Sequence, residues 1–133
     1  MATFPEKFSD LLSRETKAFA FLATVQPDGT PQVTPVWFDA KDGIFRVNSA
    51  KGRVKTRNMT EGAAVAFVIQ DPANPYRYVQ VRGKVSKATE DGADAHIDSL
   101  ANKYMGVDKY PLRQPGEVRV LFEIEPASFQ GMG

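Results

Sequence analysis

The 133-residue chain has no cysteine, one histidine and one tryptophan. Without thiols there is no disulfide framework, no thiolate metal site and no cysteine nucleophile. A single histidine, His96, excludes the usual His-rich metal sites, and no metal site is expected. It is also the one base available to a Ser-His-Asp triad, and no Gly-x-Ser-x-Gly elbow accompanies it. An excess of one charge sign is missing too. Seventeen basic residues face 16 acidic ones, for a net charge of +1, which argues against a nucleic-acid coat and confines any anion site to a local patch. No stretch approaches the ~20 apolar residues of a membrane span. The opening MATFPEKFSDLLSRE carries Glu6, Asp10 and Glu15 where a signal peptide would be apolar, so none is expected. These absences predict a cytoplasmic protein. Neither Gly-x-Gly-x-x-Gly nor a Walker loop occurs, so nucleotides held by those devices are not expected.

What is present is a β pattern. With 42% hydrophobic residues, disorder is disfavoured, and the length suits one domain over residues 1–133. Phe4, Phe8, Leu11 and Leu12 predict a short amphipathic helix over 4–14. Strands are expected at 18–25, 31–38, 44–50, 63–70, 78–88 and 118–126. Pro31 and Pro35 cannot donate to a ladder, so their strand should be an edge, a bulge or a cofactor-facing stretch. The segments QPDGT and DAKDG read as turns, and DPANPYR as a long Pro-broken loop. Ala93, Ile97, Leu100, Ala101 and Tyr104 recur at helical spacing, and Gly106 should end that helix. About six strands joined by tight turns imply antiparallel pairing. The fold expected is mainly β, a small closed or half-open barrel with peripheral helices. The βα alternation of a doubly wound sheet is missing.

One segment concentrates charge. NSAKGRVKTRN, residues 48–58, carries Lys51, Arg53, Lys55 and Arg57 with no acidic residue among them. Exposed like charges at this spacing repel by a few tenths of a kcal/mol each, roughly. A solvated face is the simple alternative. The cluster directly follows a strand, however, and Thr56, Arg57 and Asn58 add hydroxyl, fork and amide donors. Strand end, turn and helix start is where backbone N–H groups also face anions. The inventory is that of a small phosphate cradle. His96, between Asp94 and Asp98, reads as a surface residue, and Asp91, Asp94 and Asp98 as solvating charge. Trp37, flanked by Pro35, Val36 and Phe38, suits core packing or stacking on a planar ring. Tyr76, Arg77 and Tyr78 form a second aromatic and basic cluster of the kind enriched at interfaces.

TPVWF, then RVNSA, then KGRVKTRN resemble the pyridoxamine-phosphate-oxidase-like split β-barrel superfamily. Within it the similarity is greatest to the small flavin/deazaflavin oxidoreductases of the B type, especially those using coenzyme F420. The resemblance extends over ATVQPDGTPQVTPVWF, VQVRGKV and NKYMGVDKYPLRQPGEVRVLFEIEP, nearly the whole chain. It implies a homodimeric split barrel with two cofactor sites at the subunit interface and a small-molecule substrate. It implies that Arg53, Lys55, Thr56 and Arg57 bind the cofactor phosphate. Ser49, Ala50 and Lys51 would lie beside the polar edge of the ring, with Pro35, Val36 and Trp37 along its face. Tyr78 would reach the partner's ring, and Asn58 would be structural. The implied activity is hydride transfer from reduced F420 to a small or medium conjugated substrate. An FMN-dependent oxidoreductase of the same fold and a non-catalytic F420 or ligand carrier are the alternatives. No catalytic residue is assigned, and a proton for the substrate could come from water or a tyrosine. The C-terminal substrate-phosphate residues of the oxidases proper have no counterpart, so vitamin B6 oxidation is not implied.

Overall fold

The computed structural model describes residues 3–133. Period-two alternation builds most of it. In β1 (Ala20–Val25), Ala20, Leu22 and Thr24 are buried while Phe21 and Val25 face out. β2 (Pro31–Val36), β3 (Asp39–Lys41), β4 (Ile44–Ala50), α1 (Val54–Asn58) and β5 (Ala64–Asp71) follow. β6 (Asn74–Thr89), α2 (Ala93–Met105) and β7 (Arg119–Met132) complete the order. Seven strands form one antiparallel sheet in the order β2-β1-β5-β6-β7-β4-β3. Leu22, Val36, Phe45, Phe67, Val81 and Phe122, from six strands, share one hydrophobic core. The sheet therefore curls around that core and stays open between its edge strands β2 and β3, a split β-barrel.

β6 and β7 do the curling. They span 16 and 14 residues, and their register shifts at Arg82/Gly83 and at Val85/Lys87. Such irregularities bend and twist a strand, which lets both strands serve both halves of the barrel. At the first shift the backbones nearly touch: a Cβ on Gly83 would lie 2.3 Å from the Glu125 carbonyl oxygen. Gly83→Ala is expected to lower stability by about 2 kcal/mol. Urea unfolding checks this, and an unchanged midpoint would show that the bulge yields freely.

The edge position of β2 accommodates Pro31 and Pro35 as their missing donors require. Four expectations need correction. There are seven strands, because Asp39–Lys41 of the expected DAKDG turn pairs with β4 as β3. DPANPYR is not a long loop: Asp71 pairs with Asn74, the side chains of Asp71 and Asn74 accept from Ala73 N and Tyr76 N, and β6 starts there. β7 runs past 126 to Met132, because Pro126 sits at the register shift where no ladder donor is needed. The first helix is 3-10 (Glu6–Leu12), whose three-residue repeat aligns buried Phe8 and Leu11. α2 ends as expected at Gly106, which adopts φ 72° and donates its N–H to Asn102 O.

Candidate cofactor site

Register decides which side chains of the basic segment's strand face outward. Ala50 lies opposite Arg119, Ser49 opposite Val120 and Asn48 opposite Leu121. Opposed residues share a face. Ser49 therefore joins Val120 on the core side, while Asn48, Ala50 and Arg119 face α2. Beyond Ala50 the chain turns at Gly52 (φ 96°), and Arg53 precedes the single turn of α1. Thr56 Oγ1 donates to Ala50 O at 2.7 Å, and Asn58 Nδ2 donates to Thr24 Oγ1 at 3.0 Å, so both pin α1 to the barrel.

A cavity of about 190 Å³ opens where α1, α2, the end of β2 and the start of β7 meet. Arg53, Lys55 and Arg119 form its cationic side; Phe19, Pro35, Val36, Trp37, Tyr110 and Leu112 form an aromatic and apolar side, backed by Ile97 and Leu100. Burial lowers the pKa of Lys55, and the charges of Arg53 and Arg119 lower it further. Arg119 is paired, through Nη1, with Glu117 at 2.9 Å. Three cations with one carboxylate between them leave positive charge that an arriving anion relieves.

The aromatic wall is stiffly mounted. Trp37 stacks on Tyr104 at 5.2 Å between ring centroids, and Tyr110 meets Trp37 edge-on at 6.1 Å. Burial pushes the Tyr104 phenol well above its ordinary pKa. Its hydroxyl donates to Ala18 O at 2.6 Å and accepts from Phe38 N at 3.2 Å. Lys103 donates to Phe38 O at 2.7 Å and lies 4.3 Å from the Phe38 ring centroid. Burial pulls its pKa down to about 8. The charged ammonium thus costs stability below about pH 8, and the cost fades as pH rises towards the unfolded value near 10.5. Lys103→Met is expected to stabilise by about 1 kcal/mol at neutral pH, after loss of one hydrogen bond, and by nothing near pH 10. Thermal midpoints at the two pH values check this.

The cavity gathers Pro35, Val36, Trp37, Arg53 and Lys55 from the expected site residues. Thr56 lies in α1 with its proton committed to Ala50 O. Lys51 pairs with Glu90, and Arg57 is exposed beyond the lining. Buried Ser49 Oγ has no hydrogen-bond partner among the described residues. Tyr78 lies elsewhere in the same chain, beside Val68, Pro75 and Gln130 in a cavity of about 430 Å³. Sequence reasoning missed Arg119, Asn48, Phe19, Tyr110 and Leu112. Arg119 carried a weak signal, a cation at an apolar-alternating strand start, but its place beside the basic cluster depends on the β4–β7 register.

His96 requires a correction. It is 5% exposed rather than a surface residue. Three residues after Ala93 and four before Leu100, it falls on the apolar face of α2. Its Nδ1 lies 3.1 Å from Asn48 Nδ2 and its Nε2 3.3 Å from Asp39 Oδ1. Burial pushes the Asp39 carboxyl up, but hydrogen bonds from His96 and Arg46, together with the Arg46 charge, outweigh it and hold the pKa at about 2.

Fold and site define a split β-barrel with a cationic, aromatic-walled cavity on its outer face. A family model described as pyridoxamine 5'-phosphate oxidase matches residues 4–133, and the chain belongs to that family. It is similar to the solved structure of an F420 reductase, at 36% identity and TM-score 0.81, covering 96% of this chain and 98% of that one. It is also similar to a conserved hypothetical protein from Mycobacterium tuberculosis, with TM-score 0.74 and coverage of 99% and 86%; at 21% identity that likeness shows the fold alone. A pyridoxine/pyridoxamine 5'-phosphate oxidase of Myxococcus xanthus (strain DK1622) is 31% identical over 105 residues, 72% of this chain and 50% of that protein. The chain spans about half the length of the curated relatives it matches. Among the described residues, no helix is long and apolar enough to cross a membrane, and no cluster of three metal-ligating side chains occurs.

Proposed function

We propose that the chain is a cytoplasmic, homodimeric oxidoreductase that uses reduced F420 to reduce a small or medium conjugated organic substrate. The observation that carries this is the convergence of Arg53, Lys55 and Arg119 on a cavity walled by Trp37. The likeness to an F420 reductase over nearly the full length of both chains supports deazaflavin as the ring. When bound, that cofactor supplies the hydride. The three cations hold its phosphate, Pro35 and Trp37 border the ring's face, and Lys51, released from Glu90, lies towards its polar edge. The mounted aromatic wall keeps water from one side of the ring.

The cavity of about 190 Å³ is below the roughly 300–1,000 Å³ of sites that enclose a whole ligand. A second copy is the natural source of the missing surface, bringing its Tyr78 to the ring. Phe21, Val25 and Val33, at 38%, 50% and 64% exposure on β1 and β2, offer an apolar face for that copy.

The test is equilibrium titration with oxidised F420 and with FMN, read by quenching of Trp37, the single tryptophan. F420 should bind at least about tenfold tighter than FMN, about 1.4 kcal/mol. FMN binding tighter would make this a flavin enzyme. Reduced F420 should then be consumed in the presence of an enone or quinone. Tight binding without consumption across such acceptors would make the protein a carrier.

A further inference from the structure

We propose that His96 is a positioning residue for the anion site. In its neutral form, with the proton on Nε2, it completes a buried chain that aims Arg119, and protonation at Nδ1 breaks that chain. The proposal rests on the anion-binding role of the cavity.

Two contacts fix the Asn48 amide. Its Nδ2 donates to Ala93 O at 2.9 Å, and its Oδ1 accepts from Arg119 Nε at 2.8 Å. A carbonyl only accepts and a guanidinium only donates, so the amide has one orientation. Its second N–H therefore points at His96 Nδ1, 3.1 Å away, and that nitrogen must be an acceptor. The imidazole proton then sits on Nε2, facing Asp39 Oδ1 at 3.3 Å. Arg46 grips the same carboxylate at 2.8 and 2.7 Å. At the other end, Arg119 is held by Asn48 and Glu117. Its Nη2 has no hydrogen bond among the described residues, and the side chain lines the cavity.

A proton on Nδ1 would set two donors against each other at this 3.1 Å contact. Flipping the amide does not help, because its NH2 would then meet Arg119 Nε–H and its oxygen would meet Ala93 O. No amide orientation serves imidazolium and Arg119 together. The surrounding charges are mixed. Asp39 of β3 attracts a proton to His96. Arg46 of β4, Arg119 of β7 and Lys103 of α2 oppose it, and Glu117 and Glu123 temper the arginines. Acidification should therefore loosen Arg119 and weaken anion binding.

The single histidine makes the first test direct. The imidazole 15N spectrum of the whole protein should show the neutral Nε2–H tautomer at about pH 8. An Nδ1–H tautomer would overturn the proposal. The second test titrates sulfate, whose charge does not change over this range, against Trp37 fluorescence. Wild-type affinity should fall at least about tenfold between about pH 8 and about pH 5.5. His96→Asn places an acceptor oxygen towards Asn48 and cannot gain a proton, so its affinity should change less than about threefold. An equal fall in both proteins, or no fall in wild type, removes His96 from the role. Sulfate that fails to bind at about pH 8, or binds Arg53→Ala/Lys55→Ala as tightly as wild type, defeats the anion site itself and this proposal with it.

Discussion

Replacing Arg53 and Lys55 together with alanine is expected to weaken F420 binding by about 4 kcal/mol, roughly a thousandfold. Each charge-assisted bond to phosphate contributes about 1.5–3 kcal/mol, and exposed Arg53 sits at the low end of that range while half-buried Lys55 sits higher. Folding should suffer little. Neither cation has a carboxylate partner among the described residues, and Lys55 is disfavoured as a cation by burial and by Arg53 and Arg119. Removing the pair relieves repulsion in the free protein, so the thermal midpoint should hold or rise. Arg119→Ala is a poorer probe, because it strands buried Glu117 and the Asn48 oxygen and would unfold as well as unbind. Lys87→Ala, which removes an exposed cation of β6, is the matched charge control and should leave affinity within about threefold. Isothermal titration of the three proteins checks the set. Wild-type affinity in the double variant would place the phosphate elsewhere.

The basic segment could be seen in the sequence because its evidence is local: four cations without an acid, after a strand, before a turn. The same holds for β1, β4 and β5, where alternation or apolar runs speak for themselves, and for the Gly106 stop. What stayed hidden depends on partners distant in sequence. Arg119 reaches Arg53 and Lys55 because it pairs across from Ala50, a register set by two strands separated by nearly 70 residues. His96 looked solvated between Asp94 and Asp98, yet its environment comes from Asn48 and Asp39, on other elements. β3 was disguised as a turn because three residues carry too little alternation to register. β7 was cut short because a proline in a continuous strand is a stop unless the partner strand shifts there, as Gly83 allows. Trp37 packs one face on Tyr104 and also lines the cavity, so its packing role is visible in the fold while stacking on a cofactor ring belongs to the proposed function.

Asp39→Asn is expected to cost about 3 kcal/mol of stability at neutral pH. The carboxylate accepts from Arg46 Nε and Nη2 at 2.8 and 2.7 Å and faces His96 Nε2. An asparagine offers one oxygen to these three donors and turns its own N–H groups against the rest. The pH dependence identifies the cause. Folding holds the Asp39 pKa at about 2, below the unfolded value near 3.8. A depressed carboxylate contributes stability that is complete above about pH 4 and is lost as pH falls through 3.8 towards 2. That ionic part amounts to about 2 kcal/mol. Wild type should therefore lose its advantage over Asp39→Asn on acidification, the gap closing from about 3 to about 1 kcal/mol by pH 2. Both proteins weaken in acid for a shared reason. Asp10, held low by Arg77, and Asp71, held low by the Ala73 N–H and Arg77, are protonated in each. The diagnostic quantity is the difference, read from urea midpoints of the two proteins at matched pH. A gap of constant size down to pH 2 would assign the loss to packing around the amide, and the carboxylate's charge would have no part in holding β3 to β4 and α2.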